Sequence, residues 1–153
     1  MKEKQNLEDL LRKRFNEVAV HAEDGAKLII ELDKLKKKHS ETYNHLVRVG
    51  LTASYIAKYS GYSTDFEREL LMAGLVHDIG KIEWPISLLN KTGDLSEEEK
   101  RLIREHSEVT YRYVKDQFAY SAEVALRHHM HQKDGYPERL PKKEIPFDEA
   151  TMR

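Results

Sequence analysis

Apolar residues recur along the first half of the chain at intervals of three and four, as in Leu28, Ile29, Leu32 and Leu35, with no alternating run that would mark a strand. A period near 3.6 places such residues on one side of an α-helix. Glycine and proline are sparse before residue 80, so long helices are expected. A leading helical stretch is predicted over 5–37, with a break near "EDGA" at 23–26 because Gly25 costs roughly 1 kcal/mol in a helix interior. Ser40 is placed to cap the next helix, which runs to Ser60 with Leu46, Val49, Ala53, Ile56 and Ala57 on its apolar side.

"TDFE" at 64–67 has the form of a capping box, so a helix is predicted from there through "ELLMAGLVHD" until Gly80 ends it. "SEEE" at 96–99 repeats the device and opens a helix to about 117 that carries His106. Between them "EWPISLLNKTGD" reads as a loop with a short turn. A last helix over 120–131 carries "RHHMH", and the proline-rich "QKDGYPERLPKKEIP" after it reads mostly as loop. Five helices without strands predict an all-α bundle. There is no repeat of fixed period and no low-complexity segment.

The length of 153 residues suits one domain, taken as a leading helical segment over 1–38 and a main domain over 39–153. The hydrophobic share of 39% and the charged share of 35% fit helices with wide solvated faces. With 26 basic and 27 acidic residues the net charge is −1, so no nucleic-acid partner is expected, and "KLKKKH" at 34–39 reads as a solvated helix end. The longest apolar run, Leu70 to Val76, is far below the roughly 20 residues a membrane helix needs. "MKEKQNLEDL" lacks the apolar centre of a signal peptide, and a cytoplasmic location is expected. Cysteine is absent, which rules out disulfides and thiolate ligands, so any metal must be held by nitrogen and oxygen.

The polar residues that interrupt the apolar faces are disproportionately histidines. His45, His77, His106, His128 and His129 fall on four separate predicted helices, each flanked by apolar neighbours such as Leu46, Val76, Ile103 and Leu126. A buried imidazole needs partners for both nitrogens, and a neutral one is a good ligand for iron, manganese, nickel, cobalt or zinc. His77 and Asp78 are adjacent in "VHDIGK", and successive helical side chains diverge by about 100°. Both therefore address one site only at a helix end, where the two oxygens of an aspartate can bridge two ions. Two metals roughly 3.5–4 Å apart clamp a phosphoryl group and make a shared water a hydroxide nucleophile, which predicts phosphoester hydrolysis.

"HDIGKI", with His45 in "NHLVRV", His106 in "EHSEV" and "RHHMHQKDGYP", resembles the HD superfamily of metal-dependent phosphohydrolases, and within it the HD-GYP class of cyclic di-GMP phosphodiesterases. The resemblance runs from about Ser40 to Pro146. It implies a helical bundle holding two or three divalent ions, iron, manganese or another transition metal. It implies His45, His77, Asp78, His106, His128 and His129 as ligands, with Asp78 bridging and catalytic. Glu41, one turn before His45, resembles a family glutamate that binds a third metal. Lys81 resembles the catalytic lysine that contacts substrate phosphate, and Tyr136 in "DGYP" the tyrosine that packs on a guanine base.

The chain departs from that pattern in two places. Met130 stands where the family has a glutamate and the following loop is one residue shorter, which bears on cyclic di-GMP specificity more than on metal binding. The chain given stops at Arg153, before the family's further aspartate ligand and last helix, and the spacing of Asp148 makes it a poor substitute. The alternatives are a phosphohydrolase of mononucleotides, or a non-catalytic metal-binding module that signals through its helical surface, by self-association or by links to other signalling domains.

Overall fold

A computed structural model describes residues 6–137 and 140; Asp148 and the rest of the expected C-terminal loop lie outside them. The described residues form α1 (Leu7–Glu17), α2 (Ala22–Lys38), α3 (Ser40–Tyr59), α4 (Thr64–Val76), a 3-10 helix (Ile79–Glu83), α5 (Ile86–Leu89), α6 (Glu97–Val114) and α7 (Ala119–Arg127). Among them there is no strand, as the apolar spacing predicts.

Several boundaries differ from the sequence reading. The leading stretch breaks at 18–21, where Ala19 takes φ 50° and the Val20 amide reaches back to the Phe15 carbonyl. Gly25 lies inside α2 and does not break it; an added Cβ there would meet Val20 and Phe15 at 3.4 and 3.6 Å, an ordinary van der Waals contact. The imidazole of His39, in place of Ser40, caps α3 by accepting from the Thr42 amide at 3.2 Å. Ser63 caps α4 through the Phe66 amide, one residue before the expected Thr64. The capping box at Ser96 and Glu99 forms as predicted. The helix of "ELLMAGLVHD" ends at Val76, α6 at Val114 and α7 at Arg127, each before its expected end.

The most extensive packing joins α3 and α4, and two glycines allow it. A Cβ on Gly74 would sit 2.5 Å from the Gly50 Cα, so the backbones meet with nothing between them. Leu46, Val47, Leu71, Leu75 and Val76 fill the core around that crossing, and α1 and α2 close it with Leu11, Leu28, Leu32 and Leu35. The 3-10 helix is pressed equally close to α6. A Cβ on Gly80 would be 2.7 Å from Thr110 Oγ1 and 2.8 Å from the His106 carbonyl, and the Gly80 amide donates to that hydroxyl at 2.9 Å. Gly80 therefore docks the segment after Asp78 against the helix of His106.

Candidate metal centre

His77 and His128 are the C-cap residues of α4 and α7, where the chain leaves the helix and the last carbonyls lack intrahelical donors. Their Nδ1 atoms meet two of those carbonyls, His77 to Gly74 at 2.9 Å and His128 to Ala125 at 2.6 Å. His106, buried within α6, makes the same bond to the Ile103 carbonyl. A carbonyl oxygen only accepts, so Nδ1 carries the proton in each ring and the Nε2 lone pair points away. Orientation of a ring by its second nitrogen is typical of metal-binding histidines.

The three Nε2 atoms converge on Asp78, which is 3% exposed. Oδ1 faces His106 Nε2 at 2.9 Å and His128 Nε2 at 3.5 Å, while Oδ2 faces His77 Nε2 at 3.3 Å and His45 Nε2 at 3.9 Å. The donor atoms fall into two groups, each within 4.8 Å: His45, His77 and Asp78 in one, and Asp78, His106, His128 and His129 in the other. Asp78 is the member they share. His129 is turned by a bond between Nδ1 and Gln132 Oε1 at 2.9 Å, and it stacks on the Tyr136 ring with centroids 4.6 Å apart.

These donors fit divalent cations. Oδ1 of Asp78 is buried with no hydrogen-bond donor, and the nitrogens nearest to it present lone pairs. Ligand bonds of about 2.0–2.2 Å put neighbouring donors about 3–3.5 Å apart in a tetrahedral or octahedral shell. His106 and His128 have their Nε2 atoms 3.4 Å apart, in that range. Burial pushes the Asp78 carboxyl up, but the imidazoles of His106, His128 and His77 outweigh it and hold the group well below the usual carboxylate range. Those rings act as donors only when doubly protonated; with one proton, at Nδ1, they leave that role to a metal cation. Desolvation pushes His45 and His129 below the ordinary imidazole value, toward the neutral form a metal requires.

The remaining expected residues are placed differently. Lys81 donates to Asp78 Oδ2 at 2.6 Å, at the centre itself. Tyr136 is half-buried beside His129 and His106, and burial, followed by the negative charge of Asp78, pushes its phenol up to about 12. Glu41 is exposed in the first turn of α3 and belongs to neither donor group. Sequence reasoning passed over Trp84, whose ring lies 5.6 Å from that of His106, because its segment read as loop. Thr110 and Gln132, which seat Gly80 and His129, had no sequence signal of their own.

A helical bundle with an adjacent His-Asp pair at its centre defines a class, and comparison with known families agrees. The profile of the HD domain matches residues 8–152, and the chain belongs to that family. A cyclic di-GMP phosphodiesterase of Thermotoga maritima is 33% identical over 145 residues, covering 90% of this chain and 39% of that protein. One of Pseudomonas aeruginosa is 35% identical over 121 residues, covering 76% of this chain and 29% of its own length. A 3'3'-cGAMP-specific phosphodiesterase of Vibrio cholerae is 34% identical over 106 residues, covering 67% and 25%. The chain thus spans well under half the length of these relatives. No solved structure gives a significant match. Among the described residues, no helix is long and apolar enough to cross a membrane.

Proposed function

We propose that the protein hydrolyses a phosphodiester bond of a cyclic dinucleotide at a centre of two divalent cations, iron or manganese being suited to its donors. The observation that carries this reading is the division of Asp78, with Oδ1 turned to His106 and His128 and Oδ2 to His77 and His45. The relatives above, named for cyclic di-GMP and 3'3'-cGAMP, support the substrate class.

His45 and His77 would hold one cation and His106, His128 and His129 the other, with Asp78 common to both. When bound, such cations polarise a phosphoryl oxygen and acidify water. The backbone carbonyls of Gly74, Ile103 and Ala125 keep three rings in one tautomer, so the donors need no rearrangement. Lys81 brings a positive charge to the same centre, where it offsets charge developing on the phosphoryl oxygens. Tyr136, fixed against His129, offers an aromatic ring to a purine base. In the reaction water adds to phosphorus, one P–O ester bond breaks, and a linear dinucleotide is released. Glu41, one turn before His45 and outside both donor groups, is not needed for two ions and is the residue a third would recruit.

The test is incubation of the purified protein, loaded with manganese or ferrous iron, with cyclic di-GMP, 3'3'-cGAMP and a panel of mononucleotides, products being separated by chromatography. A linear dinucleotide formed only with metal, and not by Asp78→Asn, is expected. Cleavage confined to mononucleotides would make the protein a nucleotide phosphohydrolase. Full metal occupancy without any cleavage would make it a binding module.

A further inference from the structure

Asp78, Lys81 and Trp84 stand three residues apart, along the 3-10 helix and its two flanking residues. Side chains at i and i+3 eclipse in a 3-10 helix, so the three form a ladder on one face. Lys81 Nζ bonds Asp78 Oδ2 at 2.6 Å and lies 5.4 Å from the centroid of the Trp84 ring. The Trp84 amide closes the turn onto the Lys81 carbonyl at 3.1 Å, and its ring meets that of His106 at 83° with centroids 5.6 Å apart. The tryptophan is thereby fixed from both sides, although no ligand or substrate role assigned above uses it.

The bond from Lys81 to Oδ2 competes with metal binding. His45 and His77 face that same oxygen, so a divalent cation there takes the lone pair the ammonium uses and repels the ammonium as well. Released into water, a lysine on its flexible stem must give up rotamer freedom to meet a phosphate. The other contact its ammonium makes among the described residues is the Trp84 ring, within the reach of a cation–π attraction.

We propose that Trp84 is the positioning residue of Lys81: the indole retains the ammonium beside the centre once Asp78 is a metal ligand, so that the charge faces the substrate phosphate. This rests on the phosphodiesterase reading for its consequence, though not for the contact itself. Trp84 is the single tryptophan of the chain, so tryptophan emission reports the surroundings of this one indole.

The first measurement compares tryptophan emission of the zinc-loaded wild type and of zinc-loaded Lys81→Met. Retention of the ammonium on the indole predicts spectra that differ in maximum or intensity beyond repeat scatter. Superimposable spectra overturn the proposal, whatever the protein does with nucleotides. The second measures the dissociation constant of a phosphorothioate analogue of cyclic di-GMP with the manganese-loaded protein. Lys81→Met and Trp84→Leu should each weaken binding about tenfold, the double variant no further, and Trp84→Phe should stay within about threefold of wild type. Losses that multiply to about a hundredfold in the double variant mean that the indole grips the ligand itself, and they overturn the proposal. So does a loss of metal from Trp84→Leu, which would make the ring a support for His106. Failure of the metal-loaded wild type to bind the analogue counts against the phosphodiesterase reading, while the emission comparison still decides the contact.

Discussion

Arg14 and Glu67 form an ion pair inside the helical core, Nη2 to Oε2 at 2.5 Å, with side chains 1% and 10% exposed. The guanidinium also donates to Ser54 Oγ and the Ser54 carbonyl, and lies 4.6 Å from the Tyr55 ring centroid. One residue of α1 thus ties α3 to α4, the helices that bring His45 and His77 to Asp78. Removing one partner strands the other charge in the interior. Arg14→Ala should therefore destabilise the protein by about 3–5 kcal/mol, read as a lower midpoint in urea. Replacing both partners by methionine should recover part of that loss, since no lone charge remains. Equal midpoints for wild type and Arg14→Ala would remove the pair from any role in stability.

The contact of Gly50 with Gly74 makes a second prediction, because it sets the separation of the same two helices. Gly74→Ala places a methyl 2.5 Å from the Gly50 Cα, and backbone cannot yield as a flexible side chain can. A loss of about 1–3 kcal/mol is expected from such overpacking. The helices must part, moving His45 away from His77 while leaving His106, His128 and His129 together. Metal analysis should then show one cation retained and one weakened; equal weakening of both would show that the crossing does not set the spacing of His45 and His77.

The divided carboxylate gives a third prediction, in the pattern of metal content. His45→Ala should lower the content from about two ions per chain toward one, and His106→Ala should do the same by emptying the other group. Asp78→Ala should lower it toward zero, since each group loses its oxygen of the shared carboxylate. Elemental analysis after dialysis decides. A single ion lost from Asp78→Ala, with the second unaffected, would end the bridging assignment.

The fold class was legible because burial on one side of a helix leaves a period of 3.6 in the sequence, as Leu28, Leu32 and Leu35 show. The Ser96 and Glu99 box was legible because both partners are local. The position of the first break was not, since it rests on Ala19 taking φ 50° and on the Val20 amide reaching back to the Phe15 carbonyl, which no residue type at 18–21 signals. At the site, the histidines stood out as polar residues among apolar ones, and the geometry gathers them. The early end of α4 at Val76 was hidden, because the 3-10 helix after it depends on Gly80 docking against Thr110, thirty residues away. That hidden turn is also why Trp84 went unnoticed: its i+3 relation to Lys81 has meaning only where the segment is helical, and the sequence there reads as loop.

A fourth prediction concerns alkaline pH and the link between α2 and α6. Tyr113 donates to Glu31 at 2.7 Å. That bond, followed by burial, pushes its phenol up from 10.0 to about 12. The raised value belongs to the folded state, so the bond's stabilisation is fully present below pH 10 and is lost as pH rises through about 12. Tyr113→Phe should be less stable than wild type at neutral pH, and the gap should close between those limits. A gap that stays constant to pH 12 would show that the bond does not form in solution.

A fifth prediction separates stability from function at Asp78. Without cations, and with those rings singly protonated, Oδ1 of its carboxylate is buried with no hydrogen-bond donor, an arrangement that costs folding energy. The amide of Asp78→Asn keeps an oxygen for Lys81 and brings two N–H donors for those nitrogens. In metal-stripped protein this variant should be at least as stable as wild type, by thermal unfolding in the presence of chelator. Adding manganese at a hundredfold excess over its dissociation constant should stabilise wild type by about 2.7 kcal/mol per site and leave the variant unchanged. The order of the two melting temperatures should therefore invert on metal addition. A variant less stable than wild type under chelation would mean that the carboxylate is satisfied by protons on its neighbours, and that the centre is held together without metal.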